Sequence, residues 1–220
     1  MSVKRIAVLV SGGGTNLQAL IDAQEQGDII NGRIAAVIAS KPGAFALERA
    51  RRASIPGYVV ARKDHPDNRA MTIALVDKLK SLDIDLVVLA GFMVILTEEM
   101  VRAYPNAILN VHPALIPSFC GAGYYGLHVH EKALEYGVKV SGATVHFVSE
   151  ECDGGPIVLQ KAVAVEDGDT PEALQRRIME QAEWTILPRA VSLFCQGRLK
   201  VEGRTVRILK PLHLSKECLQ

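Results

Sequence analysis

Aromatic residues are scarce in this chain, at 5% of 220 positions with a single Trp, and cysteine appears only four times. Cys120, Cys152, Cys195 and Cys218 are scattered and contain no C-x-x-C pair. That spacing excludes a thiol metal knuckle and a dense disulfide framework, and it suits a reducing cytoplasm. Excess charge of one sign is missing too. Lys plus Arg number 25 against 24 acids, a net charge of +1, so there is no global pull toward nucleic acid or an anionic membrane, and neither is expected as a partner. No stretch approaches the roughly 20 apolar residues of a membrane span, and the first apolar run, residues 6–10, is shorter than the roughly 7–15 of a secretory leader. Repeats, low-complexity segments and obvious linkers are absent as well.

What remains is an ordinary globular composition, 49% hydrophobic and 22% charged, of a size that predicts one domain over residues 1–209 and a tail over 210–220. Apolar runs at residues 6–10, 33–39, 57–60, 85–90 and 107–111 are continuous and rich in Val, Ile and Leu, as strands covered on both faces tend to be. Between them the pattern turns helical. One helix starts near Asn16 and stops at Gly27, a second covers residues 44–53, and a third covers 67–82 with Met71, Leu75 and Leu79 four apart. This alternation predicts an α/β fold with a doubly wound, mostly parallel, Rossmann-like sheet. The second half breaks the rhythm. After a helix at 129–136, residues 139–148 and 156–165 read as two strands on a short connection, hence antiparallel neighbours. Thr170-Pro171-Glu172 is a helix start, with Leu174, Ile178 and Ala182 on its inner face. Residues 198–201 and 204–208 form a last strand pair turning at Glu202-Gly203.

The first strand runs into Ser11-Gly12-Gly13-Gly14-Thr15-Asn16 and then a helix. Glycines let backbone N–H groups approach an anion, and the helix N-terminus adds partial positive charge. The dinucleotide fingerprint fails, because Leu17 stands where its third glycine belongs, and the Gly-Lys-Ser/Thr of a Walker loop is absent. The turn therefore suits a phosphate monoester, or else it is a tight strand–helix turn without a ligand.

Asn110 and His112 sit at the carboxyl end of the fifth strand, the edge where open α/β sheets place ligands, and alternation puts both on one face. A carboxamide offers a neutral N–H donor and an imidazole a proton near neutral pH, a pair suited to a developing oxyanion. Asp153, in Asp153-Gly154-Gly155-Pro156, can place a carboxylate beside the imidazole and favour its charged form. Without a tertiary contact the same residues read as a buried Asn–His pair and a turn former. No G-x-S-x-G elbow appears, which points away from an acyl-enzyme and toward direct transfer.

Several longer motifs carry a resemblance. They are Ser-Gly-Gly-Gly-Thr-Asn-Leu-Gln at 11–18, Leu-Ala-Gly-Phe-Met at 89–93 and Leu-Asn-Val-His-Pro-Ala-Leu-Ile-Pro-Ser-Phe at 109–119. Gly-Ala-Thr-Val-His-Phe-Val at 142–148 and Asp-Gly-Gly-Pro-Ile-Val-Leu-Gln at 153–160 complete the set. The chain is similar, over about residues 3–199, to the folate-dependent phosphoribosylglycinamide formyltransferase family. The resemblance implies a cytoplasmic enzyme of purine synthesis that takes a formyl group from 10-formyltetrahydrofolate to the amine of glycinamide ribonucleotide. It implies two small-molecule substrates, no metal, and a monomer or homodimer. Position by position, it assigns Asn110, His112 and Asp153 to catalysis, and Gly14, Thr15, Asn16, Glu180 and Glu183 to the ribonucleotide. The i, i+3 spacing of those two glutamates predicts one shared helix face. The folate pocket is assigned Arg69, the largely backbone contacts of Met93, Val94, Ile95 and Leu96, Asn110 again, and Ser149, Glu150, Glu151, Cys152 and Asp153.

Two departures stand out. Val94 replaces the arginine of many members, and the stretch 120–126 is longer than their Pro-Gly. His128 and His130, two apart, have no acidic or Cys ligands nearby in sequence, so a metal is not expected there. Methionyl-tRNA formyltransferase, formyltetrahydrofolate deformylase and a non-catalytic nucleotide-binding module are the competing readings. The first normally has a further C-terminal domain and the second an N-terminal regulatory module.

Overall fold

Nine strands form one sheet in the computed structural model, which describes residues 2–210. The five Val/Ile/Leu runs become β1 (Lys4–Val10), β2 (Gly32–Ala39), β3 (Gly57–Val59), β4 (Leu86–Leu89) and β5 (Ile108–His112). They pair in parallel in the order β3-β2-β1-β4-β5. Chain order runs outward from β1 through β2 to β3 and then returns to β4 on the other flank. The crevice over the carboxyl ends of β1 and β4 is thus the topological switch point of the sheet.

Helices α1 (Thr15–Glu25), α2 (Phe45–Arg52), α3 (Asn68–Ser81) and α4 (Glu98–Ala103) connect these strands. Strand alternation divides their core in two. Ile6, Val8 and Val10 point to one layer with Leu17, Leu20 and Ile21 of α1 and Ala46 and Ala50 of α2. Ala7 and Leu9 point to the other, with Met71, Leu75 and Leu79 of α3 and Met100 of α4. Each fully buried aliphatic side chain contributes roughly 1.5–3 kcal/mol, so covering both faces is what holds the parallel half together. Helix boundaries follow local chemistry. Asp67 caps α3, accepting from the Ala70 N–H at 2.8 Å, and Gly27 takes the left-handed conformation just past α1. Helix α4 lies in a stretch that the apolar periodicity does not mark, because it is only six residues long with one buried side chain, Met100.

Past β5 come α5 (His128–Tyr136), β6 (Val140–Phe147) and β7 (Ile157–Ala164). The pair β6–β7 is antiparallel, as its short connection predicts, and β5–β6 is antiparallel as well. Strands β8 (Leu199–Glu202) and β9 (Thr205–Ile208) form the last hairpin, one residue later at its start than expected, with β9 beside β7. The helix begun at Thr170 runs as α6 (Pro171–Ile178), a π-helical turn (Met179–Glu183) and α7 (Trp184–Cys195). Pro188 lies inside α7, where it has no N–H to offer the carbonyl one turn earlier and its ring crowds that carbonyl. The tail expected at 210–220 lies, beyond Lys210, outside the described residues.

Candidate active site

Two groups of side chains gather along the carboxyl edge of the sheet. The first is built on β5 and β6. Asn110 pairs directly across the ladder with His146, and its Nδ2 lies 3.1 Å from His146 Nε2. An amide N–H only donates, so Nε2 is the acceptor and the imidazole proton sits on Nδ1, which donates to the Phe147 carbonyl at 2.9 Å. One N–H of Asn110 is thereby fixed and the other left for a ligand. Asp153 arrives from the β6–β7 connection, with its backbone in the left-handed region at φ 53°. The close return of that connection needs Gly155, where a Cβ would overlap the Phe147 carbonyl.

His112 sits between two acceptors. Its Nε2 donates to the Phe119 carbonyl at 2.8 Å, and its Nδ1 is 3.5 Å from Asp153 Oδ2. That carboxylate also accepts from the Gly121 N–H at 2.9 Å, and its Oδ1 stands 3.6 Å from His146 Nε2. The side chains of His112 and Asp153 are 5% and 10% exposed, so the group is nearly dry. Burial is the largest influence on His112 and pushes its pKa below the ordinary value, against the pull of Asp153 and the Phe119 carbonyl. The expectation that the carboxylate keeps this ring charged is corrected on that point: Asp153 favours the cation, but desolvation outweighs it. For Asp153, burial alone would raise the pKa, and neighbours that include His112 and the Gly121 N–H outweigh it and hold the carboxyl below its usual value.

Sequence reading missed His146, which fixes Asn110, and Thr144, which pins the exit from His112. The Thr144 hydroxyl donates to the Ala114 carbonyl at 2.7 Å and accepts from the Ile116 N–H at 3.1 Å. Cross-strand pairing of β5 with β6 was the available signal for both.

The second group surrounds the turn after β1. Gly14 caps α1 in the left-handed conformation at φ 73°, and a Cβ there would meet Ala46, so this glycine is required by packing. Around Gly12 and Gly13, by contrast, nothing lies within 4 Å of where a Cβ would stand. No side chain caps α1, which leaves its first N–H groups without a side-chain partner among the described residues. Arg49 braces the turn by donating to the Gly13 carbonyl at 2.8 Å. The Thr15 hydroxyl is 3.8 Å from Met179 Sδ. Asn16 Nδ2 donates to Glu183 Oε2 at 2.6 Å, whereas the buried Asn16 Oδ1 has no partner among the described residues. Burial lifts the Glu183 carboxyl to about 7, with Asn16 opposing. The shared face expected for Glu180 and Glu183 does not form. The π turn changes the angular spacing, so Glu183 is buried against Asn16 and Glu180 is exposed.

The remaining expected residues are mostly exposed or half-buried. Met93 and Ile95 are exposed, Val94 and Leu96 half-buried, and the Met93 N–H bonds Ser11 Oγ at 2.8 Å. Ser149 bonds the Glu151 carbonyl, while Glu150, Glu151 and Cys152 are exposed. Arg69, on α3, is tied to Glu99 of α4. A groove of about 740 Å³ opens between α1 and α7, lined by Thr15, Arg49 and Trp184 among others, but it is not lined by Asn110, His112 or Asp153. Among the described residues no cluster of three His, Cys, Asp or Glu side chains is placed to hold a metal ion, and no helix is long and apolar enough to cross a membrane.

Comparison with known proteins bears on most of the chain. Residues 4–191 match the formyl transferase family model. The chain is 46% identical to the phosphoribosylglycinamide formyltransferase of Haemophilus influenzae, covering 91% of each sequence. It superimposes on the crystal structure of glycinamide ribonucleotide transformylase 1 from Symbiobacterium toebii with a TM-score of 0.89 at 48% identity, covering 94% of this chain and 95% of that one. A formyltetrahydrofolate deformylase from Pseudomonas syringae pv. tomato shares the fold at a TM-score of 0.83, but at 28% identity and over only 66% of its own length. With the glycine turn, the β5 pair and the Asp153 connection all falling within regions of such close likeness, the chain belongs to the phosphoribosylglycinamide formyltransferase family.

Proposed function

We propose that this chain transfers the formyl group of 10-formyltetrahydrofolate to the amine of glycinamide ribonucleotide, giving formylglycinamide ribonucleotide and tetrahydrofolate. The observation that carries the reading is the meeting of Asn110 and His112, two residues apart on β5, with Asp153 from the distant β6–β7 connection, joined through His146 along the same carboxyl edge of the sheet as an uncapped helix N-terminus. The turn at Gly14, Thr15 and Asn16 takes the substrate phosphate, which fits the free N–H groups there. Asn16 Oδ1 and Glu183 offer acceptors to the donors of the ribose and amine end, and Glu180 lies at the solvent side of that subsite. The exposed apolar residues Met93 and Ile95, with Val94 and Leu96 behind them, form one wall of the folate pocket. Ser149, Glu150, Glu151 and Cys152 form the other, and Arg69 lies toward the folate tail.

In the reaction, the amine attacks the formyl carbon and a C–N bond forms. The carbonyl oxygen becomes an oxyanion that accepts the free N–H of Asn110 and the Nε2–H of His112, which gives up the Phe119 carbonyl for it while Nδ1 stays toward Asp153. The bond to the folate nitrogen then breaks, and the proton lost by the attacking amine passes to that nitrogen, with Asp153 orienting His112 throughout. Each oxyanion donor is worth roughly 10²–10³ in turnover. The test is tetrahydrofolate release followed by absorbance, with and without glycinamide ribonucleotide. Release that requires the ribonucleotide supports the transferase. Release at the same rate without it, with formate as product, would establish a deformylase instead.

A further inference from the structure

We propose that Ser11 is a positioning residue that links the two substrate subsites, so that occupancy of the anion-holding turn and binding of the folate strengthen each other. The inference rests on the functional reading above and adds a coupling between its two halves.

Ser11 is the first residue after β1 and stands directly before the glycine turn. It is 6% exposed and makes three connections across the switch point. Its N–H donates to the Gly91 carbonyl at 3.1 Å. Its hydroxyl accepts from the Met93 N–H at 2.8 Å and lies 2.6 Å from the hydroxyl of Ser40, which is itself 8% exposed at the end of β2. Because the hydroxyl is already an acceptor for Met93, its own proton is available to Ser40. One side chain thus ties together the carboxyl ends of β1, β2 and β4.

The segment it holds packs Phe92, Val94 and Leu96 against the core but has few other polar restraints. Met93 is 55% exposed and Ile95 70%, and among the described residues the bond to Ser11 is the one hydrogen bond that fixes the backbone of residues 92–96. On the other side, Gly12 and Gly13 have no side chains to anchor the turn, which is held through the Gly12 carbonyl by the Ala46 N–H and through the Gly13 carbonyl by Arg49. An anion bound by the turn fixes Gly12 to Gly14, the next residue back is Ser11, and its hydroxyl passes that restraint to Met93. Linkage makes the effect reciprocal.

The test measures the Kd of tetrahydrofolate by isothermal titration with and without saturating glycinamide ribonucleotide, on the full chain. A single buried hydrogen bond supports a ratio of roughly threefold to tenfold in the wild type. Ser11→Ala should bring the ratio close to one. Ser11→Cys, which keeps the size but accepts hydrogen bonds weakly, should do the same and serves if the alanine variant fails to fold. Ser40→Ala leaves the bond from Met93 in place and should retain the ratio. The inference is overturned by a wild-type ratio of one, by a ratio unchanged in Ser11→Ala or Ser11→Cys, or by equal loss in Ser40→Ala. A wild type that transfers no formyl group is a different result, and it overturns the transferase reading itself.

Discussion

Replacing Glu183 by Gln should change how stability depends on pH, in a direction and by an amount the structure sets. The Glu183 side chain is buried in the π turn, with one oxygen 2.6 Å from Asn16 Nδ2, and its pKa stands at about 7 against 4.5 for an ordinary glutamate. Desolvation is the dominant cause. The folded state therefore holds a proton that the unfolded chain has released. The stability this contributes is complete below pH 4.5 and is lost progressively as pH rises to about 7. At 1.36 kcal/mol for each pH unit, the gap corresponds to roughly 3 kcal/mol.

Glutamine keeps the shape and an acceptor for Asn16 but cannot ionise. Urea unfolding of both proteins at pH 5 and pH 8 measures the effect as a difference of differences, in which other titrating groups cancel. The variant should gain on the wild type by roughly 3 kcal/mol between those pH values, or about 6–12 °C in Tm for a chain of this size. A difference that stays within about 1 kcal/mol of constant across that range would refute the claim that Glu183 is buried and uncompensated.

His130 should behave in the opposite sense. Its imidazole is fully buried with neither nitrogen partnered among the described residues, and burial, with His112 nearby, lowers its pKa to about 4. Stability should fall as pH drops from 6.5 toward 4, and His130→Leu, which removes roughly 3 kcal/mol of that acid sensitivity, should be near neutral at pH 7.5; acid titration of both proteins by circular dichroism reads the difference. Asp153→Asn removes the charge that opposes desolvation of His112, so the histidine limb of the pH–rate profile should move to lower pH while turnover falls by roughly 10²–10⁴. An unmoved limb with full turnover would take Asp153 out of the mechanism.

Much of the parallel half was legible because both faces of that sheet are covered. Continuous Val, Ile and Leu runs leave few alternatives to buried strands, and Met71, Leu75 and Leu79 mark a helix by spacing alone. Asn110, His112 and Asp153 were visible as residue types at a ligand-binding edge, but their meeting depends on long-range contacts. His146 reads as one more alternating strand residue until β5 and β6 are paired in register, and only then does it face Asn110. The π turn defeated the spacing argument for Glu180 and Glu183 because that argument assumes an α-helical angle per residue, and nothing in the residue pattern marks where the helix widens. The balance at His112 was misjudged for a related reason: a sequence shows the neighbouring carboxylate but not how dry the pocket is.

Turnover of Asn110→Ala and His112→Ala at saturating concentrations of both substrates tests the proposed chemistry most directly. Each should lose roughly 10²–10³ in kcat, with the Kd for glycinamide ribonucleotide essentially unchanged, because the phosphate turn is built from other residues. Retention of wild-type kcat by either variant would contradict the assignment of the transferred oxygen to this carboxamide and imidazole.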